Sequence, residues 1–314
     1  MVLAAYSPVK KMKNSKILPQ IGLVFTTLAW GATFVLVKEA LNDANPFIFA
    51  FYRFLLAAFA ILPFALLKDR KIFSNFNSHE IKGGILCGLL LYLGYGFQNY
   101  GLEITTPSKS AFITSMSILL VPIFVFFIKK KKINAHLWMS IVIATGGLYL
   151  LLDPGNVTIV EGQYSSESFI PNIGDFLTFG CAVFFAIHII IQGDFVIKKI
   201  NIVRFFVIQC LAVSVMSLLS AFIISDYTVD WSFQLVNGIV ITGVIGTTLA
   251  IFIMVWAQKK LSPSETAIIF SMEPVFAAIF SIILGVEIFS LMQWIGGVVV
   301  VLAVVYYSLL GSSD

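Results

Sequence analysis

Charge is what this chain has least of. Only 11% of its 314 residues are Asp, Glu, Lys or Arg, against about a quarter in a soluble globular domain. Long polar stretches are missing too: the longest connector between apolar runs, 153 to 172, has 20 residues, too few for a soluble catalytic or nucleotide-binding domain. Cysteine is scarce. Cys87, Cys181 and Cys210 all fall inside apolar segments, where they read as small packing residues rather than a disulfide framework or metal site. The chain has no glycine-rich phosphate loop ending in Lys-Ser or Lys-Thr, and His79-Glu80 lacks a second histidine at zinc-protease spacing. His79, His136 and His188 sit in different segments and the aspartates lie near segment ends, which argues against intramembrane proteolysis. We therefore expect no enzyme, no cofactor and no metal.

What is present is apolar length. Hydrophobic residues make up 59% of the chain and its mean hydropathy is +0.97. Ten segments approach the roughly 20 residues that a bilayer span requires: 21 to 40, 47 to 67, 81 to 102, 108 to 128, 136 to 152, 173 to 197, 202 to 224, 236 to 257, 263 to 284 and 291 to 310. The basic start "KKMKNSK" precedes an apolar run too long for a signal-peptide core, so the first segment reads as a retained helix. Of the 20 Lys and Arg, 17 lie at the amino terminus or in and beside the loops after segments 2, 4, 6 and 8. Connectors 153 to 172 and 225 to 235 hold no base, only Asp153, Glu161, Glu167, Asp226 and Asp230. By the positive-inside rule both termini are cytoplasmic. The same rule accounts for the net charge of +4 without nucleic acid as a partner. A composition rich in Lys, Asn and Ile hints at an AT-rich bacterial genome, hence a bacterial inner membrane.

The chain also repeats itself. At a constant offset of 156, residues 107 to 142 match 263 to 298 at ten of 36 positions: Pro107, Ser108, Ala111, Ile113, Ser115, Met116, Ile123, Phe124, Trp138 and Val142. Chance would give roughly a tenth identity in so apolar a pair, so each half is a diverged copy of one unit. Five spans per copy is an odd number, so the second copy enters the membrane the other way round. Charge agrees: Lys131 aligns with Glu287, and Glu103 with Lys259. Inverted repeats are the architecture of secondary transporters, in which two halves exchange conformations around a midplane site. A duplication kept only for packing is the other reading.

Four stretches, "WGATFVLVK" at 30 to 38, "FYRFLLAA" at 51 to 58, "GLEITTPSKSAFIT" at 101 to 114 and "SPSETAIIFSMEPVFAAIFSIILGVEIFSLMQWIGG" at 262 to 297, resemble the drug/metabolite transporter superfamily, EamA type. The resemblance covers 20 to 308. It implies a ten-helix bundle around a central cavity and export of amino acids or other small metabolites, and it leaves the substrate unassigned. The first half departs from the pattern where Lys131 replaces the acidic residue of a "GE" loop; the second half keeps Gly285 and Glu287.

Residues able to carry a mechanism are few. Glu273 stands ten residues beyond Pro263, about 15 Å along a helix and half of a roughly 30 Å hydrocarbon core. Arg53, seven beyond Pro46, lies about 10 Å in from the other side. Intramembrane charges are costly and mark function or a structural pair. Glu273 and Arg53 are expected to face one cavity, as an ion pair or as two ends of a zwitterion site; Glu273 could equally be a proton-coupling group. Pro274 and Pro122 should bend helices 9 and 4, the pointer to a transporter site, although prolines are common in membrane helices. Gln98 and Asn99, flanked by Tyr92, Tyr95 and Tyr100, could orient substrate or join helices. His188 and Gln192 share a face beyond Phe184 and Phe185, as a ligand surface or as satisfied structural groups. Trp30, Ser115, Ser117, Thr247 and Trp256 are further lining candidates. Small-residue runs "GGILCG" and "WIGG" permit close helix approach, the latter marking helix 10 as one dimer face.

The expectation is thus an all-α protein of ten transmembrane helices, in two inverted five-helix repeats around a central cavity. The domain plan is a basic 1 to 20, a first repeat over 21 to 152, an extracytoplasmic linker over 153 to 172, a second repeat over 173 to 310 and a tail over 311 to 314. Its partners are a small-molecule substrate and the lipid bilayer, as monomer or homodimer. Amino-acid export leads. Uptake or exchange of a nucleotide-like or cationic metabolite is the alternative within transport, and a non-transporting sensor or scaffold the alternative outside it.

Overall fold

The computed structural model describes residues 8–74, 76–130, 134–152, 157–160, 163–166, 172–198, 200–285 and 290–310. Lys131, Glu287 and most of the acidic connector lie outside them. Fourteen helices make up almost everything described: α1 (Pro8–Ala40), α2 (Pro46–Ala60), α3 (Leu62–Lys68), α4 (Ser78–Ile104), α5 (Pro107–Ser115), α6 (Ser117–Lys129), α7 (Ala135–Leu152), α8 (Ile173–Val196), α9 (Ile202–Ile224), α10 (Phe233–Gly243), α11 (Ala250–Ala257), α12 (Pro263–Phe270), α13 (Glu273–Ile283) and α14 (Leu291–Leu310). A π-helical turn, Val244–Leu249, joins α10 to α11. A short antiparallel hairpin, β1 (Val157–Val160) with β2 (Gln163–Ser166), sits in the connector between α7 and α8.

Among the described residues, eight helical stretches are long and apolar enough to cross a membrane: Lys16–Ala40, Pro46–Leu67, Pro107–Lys129, Ile173–Val196, Ile202–Ile224, Phe233–Ala257, Pro263–Ile283 and Leu291–Leu310. Ala135–Leu151 is a shorter apolar helix. α4 has the length, but Gln98, Asn99 and its glycines dilute its apolar character. The protein is a helical, multi-pass membrane protein.

Helix starts follow local chemistry. Asn45 caps α2 ahead of Pro46, Thr106 caps α5 ahead of Pro107, and Ser262 caps α12 ahead of Pro263 in a reciprocal box with Glu265. A proline in the first turn loses nothing, because its missing N–H would have had no intrahelical partner. Asn77 with Glu80, and Asn172 with Asp175, form the same box at α4 and α8.

Hydrogen bonds define the two ends of the bundle. At the lysine-rich end Lys16 meets Glu265, Lys129 meets Asp194, and Arg204 clamps Glu80 at 2.7 and 2.9 Å. At the opposite end Lys38 donates to the carbonyls of Leu102, Glu103 and Thr105, Lys109 meets Asp175, and Asn45 donates to Asp226. In between, α1 packs on α10 to α13, α4 on α8 and α9, α2 on α9 and α10, α5 and α6 on α8, and α7 on α14. The α7–α14 contact is backbone-close: a Cβ on Gly296 would lie 2.6 Å from the Gly147 carbonyl. The first "WIGG" glycine is therefore used inside the chain, against α7. Gly83, Gly84 and Gly88 of "GGILCG" are likewise filled from within, by Phe195, Ile208 and Ala212.

Candidate functional site: a central cavity

Two membrane helices are broken in mid-course. Pro274 has no N–H for the carbonyl of Phe270, and α12 stops at Phe270. The chain turns through Ser271 and Met272, whose N–H bonds the Ile269 carbonyl at 3.1 Å, and restarts as α13 with Glu273 in its first turn. The first half breaks at the matching place. Met116 N–H bonds the Ile113 carbonyl at 3.1 Å, between α5 and α6. Pro122 is not at that break: it lies within α6, and the carbonyl its ring displaces, four residues earlier, belongs to Ile118. The break in this half falls at Met116, six residues before Pro122.

The break puts a carboxylate at a helix N-terminus beside α1. Gly31 makes this approach feasible, because a Cβ there would lie 2.7 Å from the Ala277 nitrogen and 3.0 Å from the Glu273 carbonyl oxygen. Glu273 then lines a cavity of about 30 Å³ with Trp30, Thr33, Phe34 and Val37 of α1, Arg53 of α2, Gly94, Tyr95, Gln98 and Leu102 of α4, Thr114 of α5, and Cys181 and Phe185 of α8. The α1 and α4 members recur every three or four residues, one helical face each.

Arg53 is 2% exposed and held on three sides. Its Nε donates to Thr247 Oγ1 at 2.9 Å, its Nη2 reaches the Tyr95 hydroxyl at 3.5 Å, and its Cζ stands 4.6 Å from the centre of the Tyr95 ring. Thr247 is available because the backbone is π-helical there. The wider turn also presents the Gly246 carbonyl to Trp30 Nε1 at 2.7 Å, while Thr248 Oγ1 donates to the Gly243 carbonyl at 2.9 Å. Such π turns accompany functional sites. Glu273 makes no hydrogen bond or ion pair with the described residues. Both ionisable groups line one chamber, and no ion pair joins them.

Gln98 also lines the chamber, donating to Thr114 Oγ1 at 3.2 Å. Asn99 and Ser115 do not; each is one residue past a lining residue, about 100° around its helix, and both are buried elsewhere. His188 and Gln192 are fully buried but outside the lining, and Trp256 lies over two turns beyond Thr247 toward the lysine-rich end. Thr33, Val37, Thr114 and Cys181 were not singled out from sequence as lining residues. The signal for Thr33 and Val37 was their spacing from Trp30. Cys181 gave none.

The chamber occupies the half of the bundle away from the lysine-rich end. Its wall climbs from Trp30 to Val37, next to Lys38, and from Tyr95 to Leu102. Its floor is aromatic: Trp30 packs edge-on against Phe185 at 5.3 Å and Phe270 at 5.0 Å, and Phe185 stacks on Phe270 at 6.2 Å.

A charged chamber between two broken helices is transporter geometry, and the family comparison agrees. The model of the EamA-like transporter family matches the chain twice, over residues 18–153 and 172–309. The chain belongs to the EamA-like transporter family. A protein of Archaeoglobus fulgidus named "Uncharacterized transporter" is 30% identical over 291 residues, 92% of this chain and 85% of its own. The "Uncharacterized inner membrane transporter YedA" of Escherichia coli K12 is 24% identical, covering 95% and 93%. A crystal structure with a TM-score of 0.75 covers 95% of this chain and 98% of its own at 15% identity, a likeness of fold. This EamA chain is accordingly a permease of the drug/metabolite transporter superfamily.

Proposed function

We propose that the chain is a secondary transporter that exports small zwitterionic metabolites, amino acids first among them, by alternating access. One observation carries the reading: the cavity holds a guanidinium and a carboxylate that are not bonded to each other. A structural ion pair would have brought Arg53 and Glu273 together, since an unpartnered buried charge is costly. Held apart, they can meet the carboxylate and the ammonium of one solute. The aromatic floor and the Tyr95 ring would contact its apolar part.

Supporting alternating access, the eight long apolar stretches with α4 and α7 make ten crossings, five per half. Neighbour relations carry over when the halves are exchanged: α1 against α10–α11 answers α8 against α4, and α7–α14 and α2–α9 map onto themselves. The cap residues Asn45 and Asn201, and the turn bonds at Met116 and Met272, lie 156 apart. These relations support two inverted repeats, 21 to 152 and 173 to 310, joined by 153 to 172. The positive loops support both termini in the cytoplasm of a bacterial inner membrane, with the chamber toward the outer side. The chain performs no chemistry on its cargo.

The test is a thermal-stability screen of the purified protein against amino acids, polyamines, nucleosides and nucleotide-linked metabolites. A ligand at 100 times its Kd adds about 2.7 kcal/mol. Amino acids should raise Tm, and Glu273→Gln or Arg53→Gln should remove the rise. Stabilisation by polyamines or nucleotides alone would assign another cargo. Stabilisation by none would favour a sensor or scaffold.

A further inference from the structure

Behind the aromatic floor lies a second polar cluster, which the chamber does not use. His188 stacks on Phe185 at 5.8 Å, on α8, and its Nε2 is 3.4 Å from Gln209 Oε1 on α9. One turn further, Gln192 Nε2 donates to Gln258 Oε1 at 2.9 Å, and Gln258 Nε2 donates to the Ile189 carbonyl at 2.9 Å. His188, Gln192 and Gln209 are 0% exposed and Gln258 1%. Three of their polar atoms, His188 Nδ1, Gln192 Oε1 and Gln209 Nε2, are buried with no partner. Ten such atoms occur among the described residues and three of them gather in this one cluster, where each costs about 1–3 kcal/mol while unpaired. The string ends beside the exposed Lys259, at the lysine-rich face.

Two of its members are also counterparts of the chamber wall. Adding 156 to Arg53, Leu102 and Thr114 gives Gln209, Gln258 and Phe270. On α8, Phe185, His188, Ile189 and Gln192 have the spacing of Trp30, Thr33, Phe34 and Val37 on α1, one residue out of the 156 register. The string thus occupies in the second half the helices that carry the chamber wall in the first.

We infer that His188, Gln192, Gln209 and Gln258 line the closed half of the translocation path, and that Trp30, Phe185 and Phe270 form the gate between the halves. This rests on the alternating-access reading. The path's ligand is the same small zwitterion, passed in export from these neutral amide and imidazole groups to the Arg53–Glu273 chamber. No cationic side chain of the string holds it at the lysine-rich face, where it enters.

The test uses the full chain in vesicles, with Cys87, Cys181 and Cys210 replaced by alanine. Single cysteines at Gln98, Gln192 or Gln209 are exposed to a membrane-impermeant methanethiosulfonate from one face at a time. Gln98→Cys should label from the face opposite the lysine-rich loops. Gln192→Cys and Gln209→Cys should label only from the lysine-rich face, at least about ten times faster than a cysteine at the buried Ile141. Labelling at neither face, with Gln98→Cys labelled, overturns the inference and spares the chamber. Failure at Gln98→Cys instead overturns the chamber itself. Where a cysteine variant does not fold, hydroxyl-radical footprinting of the unmodified protein decides: oxidation of His188 above the level of Ile141 is expected, and equal protection overturns the path.

Discussion

At the scale of single residues, each charged or small group in the chamber has an identifiable support, and removing the support should have a defined effect. Thr247→Val deletes the acceptor of Arg53 Nε. A lost hydrogen bond to a charged group is worth about 1.5–3 kcal/mol, so Tm should fall and amino-acid stabilisation should weaken; a denaturation series with and without ligand checks both. Gly31→Ala is expected to cost about 1–3 kcal/mol by overpacking, because the new Cβ meets backbone atoms of α13 that cannot swing aside. A wild-type melting curve for Gly31→Ala would show that α13 can retreat. That Glu273 and Arg53 would be the charged groups of the bundle interior was legible in the sequence, since an intramembrane charge announces itself. Which of their neighbours would share the chamber was not, because Gln98 and Asn99 differ only by a rotation around one helix.

At the scale of elements, the breaks at Met116 and Ser271–Met272 position the site. Pro274 explains the second break directly, whereas the first falls six residues before Pro122: the two halves share the "SM" turn and not the proline. Pro274→Ala restores an N–H that can bond the Phe270 carbonyl and should let α12 run on into α13. The expected result is an equal or higher Tm with reduced transport; unchanged transport would mean that the break needs no proline. Apolar run length located the helices well. The π turn at Val244–Leu249 was invisible to it, because hydropathy does not distinguish backbone hydrogen-bond registers. Its only trace was "GVIGTT", with two glycines ahead of the threonines that bond across the turn.

At the scale of the whole molecule, the bundle is fastened at both ends by side chains outside the hydrocarbon. In the connector between α9 and α10, Asp226 accepts from Thr228 Oγ1 at 2.5 Å, from the Thr228 N–H at 3.0 Å and from Asn45 Nδ2 at 2.9 Å. These bonds, chiefly the hydroxyl of Thr228, hold its carboxyl below the ordinary aspartate value. A depressed folded value means that the carboxylate favours the folded state fully above the unfolded pKa of about 3.9 and that this is lost as pH falls through the folded value. Tm measured from pH 6 to 3 should therefore decline less steeply in Asp226→Asn than in the parent; parallel curves would contradict the assignment.

The central claim is that Arg53 and Glu273 bind the two ends of one zwitterion, and the most direct test is counterflow in proteoliposomes loaded with unlabelled amino acids and bathed in a labelled mixture. Wild type should accumulate label. Arg53→Gln and Glu273→Gln should each reduce it by about 10–100-fold, as expected for losing a charge-assisted bond of about 1.5–3 kcal/mol, at normal protein levels. Wild-type accumulation by both variants, or none by the wild type, would contradict the account.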